Sequence, residues 1–220
     1  MSQTLLFGRE RVSVDRTFSN LRREELGHGA WLEHQTGWLR GHLQVFEALR
    51  DSLQWRAQRR QMYDREIEVP RLLSNWPNPG EGHPIVAECA RRLSQRYDCN
   101  LSSISLAYYR DGRDSVAPHG DRMGSLTDHC VIAIVAVGDR RRFQIRGLET
   151  NAPARSFELG WGDLLGMCVT CQRTHVHAIP KAGNPVGPRI SIQFRPWDPF
   201  ASTPLDMPRG PLRAGAGRRS

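Results

Sequence analysis

His119-Gly120-Asp121 are the residues whose types and spacing point most directly to chemistry. Positions i and i+2 of an extended segment face the same side. One imidazole and one carboxylate placed this way bind a single metal together. A third ligand completes the facial triad of a non-haem Fe(II) site, with positions left open for oxygen and a cosubstrate. Alone the motif is weak, because a surface turn with a hydrogen-bonded pair has the same spelling. Thr174-His175-Val176-His177 supplies two candidates for the third ligand. Both histidines lie on one side of an extended segment, so alternation does not choose between them; the other is read as a structural histidine.

Residues 189–195 form a second feature. Arg189, Ser191, Gln193 and Arg195 share one face, and Ile190, Ile192 and Phe194 the other. Two arginines on an inward polar face bind a dicarboxylate through bidentate contacts. Taken alone, the pattern more often marks an edge strand with a solvated outer face.

These residues need a scaffold of strands. Residues 104–109 read as a strand, followed by a turn at Asp111-Gly112. Residues 130–137 are a nearly continuous apolar run, as for a strand buried on both faces. Residues 138–142 read as a hairpin turn and 143–146 as the returning strand. Residues 159–169 and 189–194 add more, and short strands separated by turns suggest a sandwich or jelly roll. Upstream, 31–55 reads as helical, with Leu39, Leu43, Phe46, Leu49 and Leu53 at spacings of three and four. A second helix is expected over 84–97, with Ile85, Cys89 and Leu93 on one side. The first 25 or so residues are charge-dense and read as loosely structured. Residues 201–220, rich in Pro, Gly and Arg, read as a disordered tail.

The chain has 220 residues, a net charge of +8 and a pI of about 9.9, and Lys181 is its only lysine. Arginine forks match phosphate geometry and stack on bases, which favours an anionic partner such as nucleic acid. A solvated arginine bias explains the charge equally well. No apolar run approaches the roughly 20 residues of a membrane span. Residues 1–11 lack the apolar core of a signal peptide, so a cytoplasmic protein without a membrane partner is expected. The five cysteines are odd in number and unevenly spaced, which argues against a disulfide framework. Cys168 and Cys171 receive no role.

Taken together, the H-x-D, the distal histidine and the Arg-x5-Arg near the C-terminus resemble the AlkB-like family of 2-oxoglutarate dioxygenases. Residues 108–114 with Pro118-His119-Gly120-Asp121, residues 157–165, and His177-Ala178-Ile179-Pro180-Lys181 are similar to segments of that family. The resemblance is firm over 101–197, weaker upstream and absent from the tail. It implies that His119, Asp121 and His177, rather than His175, bind Fe(II). It implies that Arg189 pairs with the distal carboxylate of 2-oxoglutarate and Arg195 with the chelating end. Tyr109 would hydrogen-bond the cosubstrate, and Ser191 would keep a polar group where the family often has asparagine. The implied reaction consumes O2 and 2-oxoglutarate. The chain departs from the pattern at Ala107, often asparagine, and at Arg122-Met123-Gly124, where acidic base-reading residues often follow.

In the family, the segment before the core forms a lid over a flipped nucleotide, here about 54–78. Met62, Tyr63 and Trp76 are candidates to stack on a base, with Arg122 a further substrate-side candidate. Arg56, Arg59, Arg60, Arg65 and Arg71 are candidates for phosphate contacts. Each aromatic is as readily a packing residue, and Arg140, Arg141 and Arg142 are more readily a solvated turn than a phosphate contact.

A zinc-stabilised nucleic-acid module built on Cys168, Cys171, His175 and His177 is disfavoured, because one residue between the histidines is too few. A binding protein with a dead site is disfavoured because all three ligands and both arginines are present. The expected fold is α+β and mainly β: a double-stranded β-helix (jelly roll) with flanking N-terminal helices. The expected organisation is a partly flexible segment at 1–30, a helical and lid region at 31–100, the catalytic core at 101–198 and a basic tail at 199–220. The expected function is dealkylation of 1-methyladenine- and 3-methylcytosine-type bases in DNA or RNA, single-stranded or flipped out, by a monomer. The alternative is the same oxygenase chemistry on a substrate other than nucleic acid.

Overall fold

The computed structural model describes residues 10–62, 65–76, 82–121, 130–149 and 153–196, with side chains described outside 58–68. Two antiparallel sheets face each other. The larger has eight strands: β2 (Arg22–Gly27), β3 (Ala30–Gln35), β12 (Asp163–Cys168), β9 (Val131–Gly138), β14 (Arg189–Arg195), β7 (Ser103–Tyr109), β6 (Arg65–Asn75) and β5 (Arg56–Met62), in that order. The smaller runs β11 (Arg155–Leu159), β10 (Arg141–Gly147), β13 (His175–Ile179) and β8 (Val116–His119). Two short strands, β1 (Ser13–Val14) and β4 (Leu39–Arg40), pair separately.

Strand alternation divides the apolar residues into two cores. Ile132, Ile134 and Ala136 of β9 face the smaller sheet and join Phe143, Ile145 and Ile179. Ala133, Val135 and Val137 face the other way, toward helices α1 (His42–Ser52) and α2 (Pro84–Tyr97). On β14, Ile190, Ile192 and Phe194 are fully buried on this helix side, each contributing about 1.5–3 kcal/mol relative to exposure. The opposite face of β14 is thereby turned into the space between the sheets.

The jelly roll with flanking helices is the architecture expected, but several local readings change. The segment 31–55 is helical only over α1. Residues 30–35 form β3 instead, because they complete a ladder with β12 on one side and β2 on the other. Leu43 is exposed, and the buried stripe of α1 is Val45, Phe46 and Leu49. The charge-dense N-terminal segment is ordered as β1 and β2; β2 is the sheet edge, where charged side chains meet water. Residues 138–142 do not form a hairpin. Gly138, at φ +85°, turns the chain out of the larger sheet, and β10 pairs with β11 and β13 in the smaller one. Arg141 is consequently buried, neither solvated nor open to phosphate. It donates to the carbonyls of Asp111, Asp114 and Pro180 at 2.8–2.9 Å. Finally, β14 is no edge strand; it lies between β9 and β7. The tail at 201–220 lies outside the described residues.

One turn is under tight steric control. Gly162 adopts φ +87°, and a Cβ there would lie 1.9 Å from the Leu39 carbonyl oxygen. Its own carbonyl accepts from Leu39 N–H at 2.9 Å. Gly162→Ala should therefore destabilise the fold by about 2 kcal/mol or more. Urea denaturation checks this; an unchanged midpoint would show that the turn relaxes freely.

Candidate metal centre and cosubstrate pocket

His119 ends β8 and lies directly opposite His177 in the middle of β13. Their ring centroids are 4.4 Å apart. Asp121 follows two residues later, and its Oδ2 lies 3.7 Å from His177 Nε2. The ligand atoms of the three residues all fall within 4.8 Å of one another. Among the described residues, no other group of three His, Cys, Asp or Glu side chains is gathered in this way.

Neighbouring groups set the orientation of each donor. His119 Nδ1 lies 2.8 Å from the Ala117 carbonyl, so Nδ1 carries the proton and Nε2 keeps its lone pair for a metal. The Asp121 backbone N–H donates to Gln172 Oε1 at 2.9 Å. Arg195 donates to Asp121 Oδ1 at 3.0 Å and also to Ser105 and Gln193. Phe143 stacks on the His177 ring at 5.5 Å. Gly120 is required where it stands, since a Cβ would lie 2.9 Å from the Gln172 carbonyl oxygen.

Electrostatics favour the ligating protonation states. Burial pushes His177 down to about 3, reinforced by His119. Burial also lowers His119. Burial alone would raise Asp121, but Arg195, with His177 and His119, overrides it and holds the carboxyl at about 2. Two neutral imidazoles and one carboxylate result, the form a divalent cation needs. The sign for stability follows. In the unfolded chain His177 takes a proton near 6.5, while the folded site refuses it down to about 3. Its contribution is complete above about 6.5 and is lost as pH falls toward 3. Metal-free protein should therefore melt at a lower temperature at pH 5 than at pH 7.5, and His177→Gln should flatten that difference. An equal slope in the variant would assign the acid sensitivity elsewhere.

The second histidine separates from this group. His175 begins β13, and its Nδ1 lies 2.8 Å from Thr174 Oγ1. It faces a cleft of about 410 Å³ with Leu26 and His28.

The cleft at the triad is lined by Arg71, Leu73, Tyr109, Val116, Phe143, Ile179, Ser191, Gln193 and Arg195, besides the triad itself. Arg189 does not touch this open space. It lies beside Tyr109, its strand partner, with its guanidinium carbon 5.3 Å from the ring centre. Arg189 is fully buried, and none of its three nitrogens makes a hydrogen bond to a described residue. Burial lowers it to about 10, partly offset by Tyr109. A buried cation without an acceptor is costly, and a carboxylate is the partner its fork matches. Arg195 lines the cleft at the triad, and its Nη1 and Nη2 donate to Ser105, Asp121 and Gln193.

On the substrate side, Trp76 packs with the helix-side core, away from the cleft. Tyr63 and Arg122 lie outside the described residues, as does the side chain of Met62. Arg71, read as a phosphate contact, is buried in the cleft, with Nε and Nη1 making no hydrogen bond to a described residue. Gln172 and Phe143 were not anticipated. Gln172 is separated from Asp121 by 51 residues, and nothing local in its sequence marks it.

Facing sheets bring two histidines and a carboxylate together, with a buried arginine nearby, as a candidate mononuclear non-haem metal site. The comparisons agree. The model of the 2OG-Fe(II) oxygenase superfamily matches residues 15–195, and the chain belongs to that family. It is 36% identical over 122 residues to the uncharacterized protein R406 of Acanthamoeba polyphaga mimivirus, covering 54% of this chain and 62% of that one. It is 26% identical over 172 residues to the human alpha-ketoglutarate-dependent dioxygenase alkB homolog 3, covering 69% and 60%. The chain thus spans about 60% of the length of these relatives. The structure of OsALKBH1 superposes with a TM-score of 0.55 at 11% identity, over 80% of this chain and all of that one, a likeness of fold. The chain is thus a member of the 2OG-Fe(II) oxygenase superfamily with relatives among the alkB homologs, and that family uses Fe(II), 2-oxoglutarate and O2.

Proposed function

We propose that this oxygenase removes alkyl groups from N-alkylated nucleobases of the 1-methyladenine and 3-methylcytosine type in DNA or RNA. The products are formaldehyde, succinate and CO2, and the role is repair of alkylation damage. His119, Asp121 and His177 would hold Fe(II), and Arg189 the distal carboxylate of 2-oxoglutarate. Bound together with O2, these supply the oxidising power that hydroxylates the N-alkyl carbon. The chain's residues orient and enclose. Tyr109 and Ser191 line the cosubstrate side, while Leu73, Val116 and Ile179 exclude water.

The observation that carries the nucleotide reading is Arg71. It sits on β6, on the strand partner of β7, and its buried guanidinium enters the triad cleft with two nitrogens lacking an acceptor among the described residues. An acceptor-rich group arriving with the substrate would satisfy them, and the phosphate and sugar oxygens of a flipped nucleotide are such groups. The net charge of +8, carried by arginine, supports the same class of substrate. No described helix is long and apolar enough to cross a membrane.

The test incubates the protein with Fe(II), ascorbate, 2-oxoglutarate and oligonucleotides carrying 1-methyladenine or 3-methylcytosine, and follows the methyl group by mass spectrometry. Methyl loss that requires both iron and 2-oxoglutarate is the expected result. Succinate without methyl loss would move the substrate outside alkylated bases.

A further inference from the structure

Two thiols that the oxygenase reaction does not use flank the start of a helix that contacts Asp121. Cys168 ends β12 and Cys171 lies in the short helix α3 (Val169–Thr174), which leads directly into β13. Their sulfurs are 3.4 Å apart and both side chains are buried. The backbone of one residue holds both: Trp31 N–H donates to Cys168 Sγ at 3.2 Å, and Cys171 Sγ donates to the Trp31 carbonyl at 3.1 Å. The contact with Cys171, with Trp31 N–H, holds the Cys168 thiol well below the usual range against the effect of burial, while Cys171 is pushed up. One sulfur is thus disposed to act as a thiolate, with a protonated partner in reach. Two sulfurs this close are placed to close into a disulfide.

Helix α3 also touches the metal centre. Gln172, the residue after Cys171, accepts the Asp121 N–H at 2.9 Å, and its carbonyl oxygen closes on Gly120. A disulfide requires the sulfurs to approach to about 2 Å. Contraction of Cys168 and Cys171 from 3.4 Å pulls on the turn of α3 that carries Gln172.

We propose that Cys168 and Cys171 form a reversible, peroxide-oxidised dithiol, and that its disulfide state weakens metal binding by displacing Gln172 from Asp121. The Cys168 thiolate attacks one oxygen of hydrogen peroxide, breaking the O–O bond to give a sulfenic acid and, after protonation, water. The Cys171 sulfur then attacks that sulfenic sulfur, forming the S–S bond and expelling the second oxygen as water. The two thiols lose two electrons and two protons in total, and one peroxide becomes two waters. A reducing dithiol reverses the change. Peroxide is water-sized, which suits a pair so enclosed. The coupling to metal affinity rests on the metal site proposed above.

The test uses the full chain, metal-free, treated with hydrogen peroxide and then with an alkylating agent and trypsin. Residues 156–173 form one tryptic peptide, which contains both cysteines and no other. We expect it two hydrogens lighter and unalkylated. Cobalt(II), titrated as a spectroscopic stand-in for iron, should bind about tenfold more weakly to the oxidised protein. Dithiothreitol should restore the affinity, and Cys171→Ala should form no disulfide with peroxide and keep its cobalt affinity. Two alkylated cysteines in that peptide, or oxidation confined to Cys99 and Cys130, would overturn the dithiol. A disulfide with unchanged cobalt affinity would overturn the coupling. Reduced protein that binds no cobalt would instead sink the metal reading and the coupling with it, while the peptide mass still decides on the dithiol.

Discussion

His177→Ala should abolish iron-dependent turnover, and His175→Ala should retain most of it. The two residues are alike in the sequence and differ sharply in the fold. His177 stands opposite His119 across a strand pair, 3.7 Å from Asp121. His175 is occupied with Thr174 and faces a different cleft. Loss of a residue that merely supports a ligand lowers affinity or activity by about 10–100-fold. Loss of His177 should exceed about a hundredfold, whereas His175→Ala should stay within about tenfold. Single-turnover succinate formation reads both. The reverse order would move the ligand one alternation along β13, and equal losses would mean that the variants act through the fold of the strand.

Arg189→Met should raise the 2-oxoglutarate requirement by about thirtyfold or more, the lower end of the cost of truncating a buried, hydrogen-bonded charge pair, about 2 kcal/mol. The same variant should not destabilise the cosubstrate-free protein. Arg189 is fully buried and without an acceptor among the described residues, so a methionine fills its space without the cost of desolvating a cation. The expected signature is an unchanged or raised melting temperature without 2-oxoglutarate, and a lost stabilisation when it is added. A normal KM would refute the dicarboxylate role. A normal KM together with a collapsed melting temperature would make Arg189 a structural residue.

The chemistry was more legible in the sequence than the scaffold around it. His119 and Asp121, and Arg189 to Arg195, announce themselves because strand alternation puts i and i+2 on one face. That rule holds whether or not the rest of the fold is known. The helix over 84–97 was equally plain, with Pro84 in its first turn, although its buried side carries Val86 with Cys89 and Leu93, and Ile85 is only partly buried. The strands β2 and β5 were missed for a shared reason. Sequences such as Arg22–Gly27 and Arg56–Met62 carry little apolar alternation, and neighbouring strands hold them in place more than their own pattern does. The route of 138–142 was misread because a glycine followed by arginines spells a hairpin turn as readily as a crossing between sheets. Only the destination of the Arg141 guanidinium, three buried or half-buried carbonyls, distinguishes them. Gln172 was out of reach altogether, because its role depends on a contact between segments far apart in the chain.

The most direct test of the metal and cosubstrate assignment is an anaerobic titration of Fe(II)-loaded protein with 2-oxoglutarate, followed by visible absorption. A cosubstrate that chelates the iron gives a metal-to-ligand charge-transfer band that neither component shows alone. The assignment predicts that band in the wild-type protein, its absence in Asp121→Ala, and a shift to much higher 2-oxoglutarate concentration in Arg189→Met. A band of undiminished strength in Asp121→Ala, or no band in iron-replete wild-type protein, would contradict it.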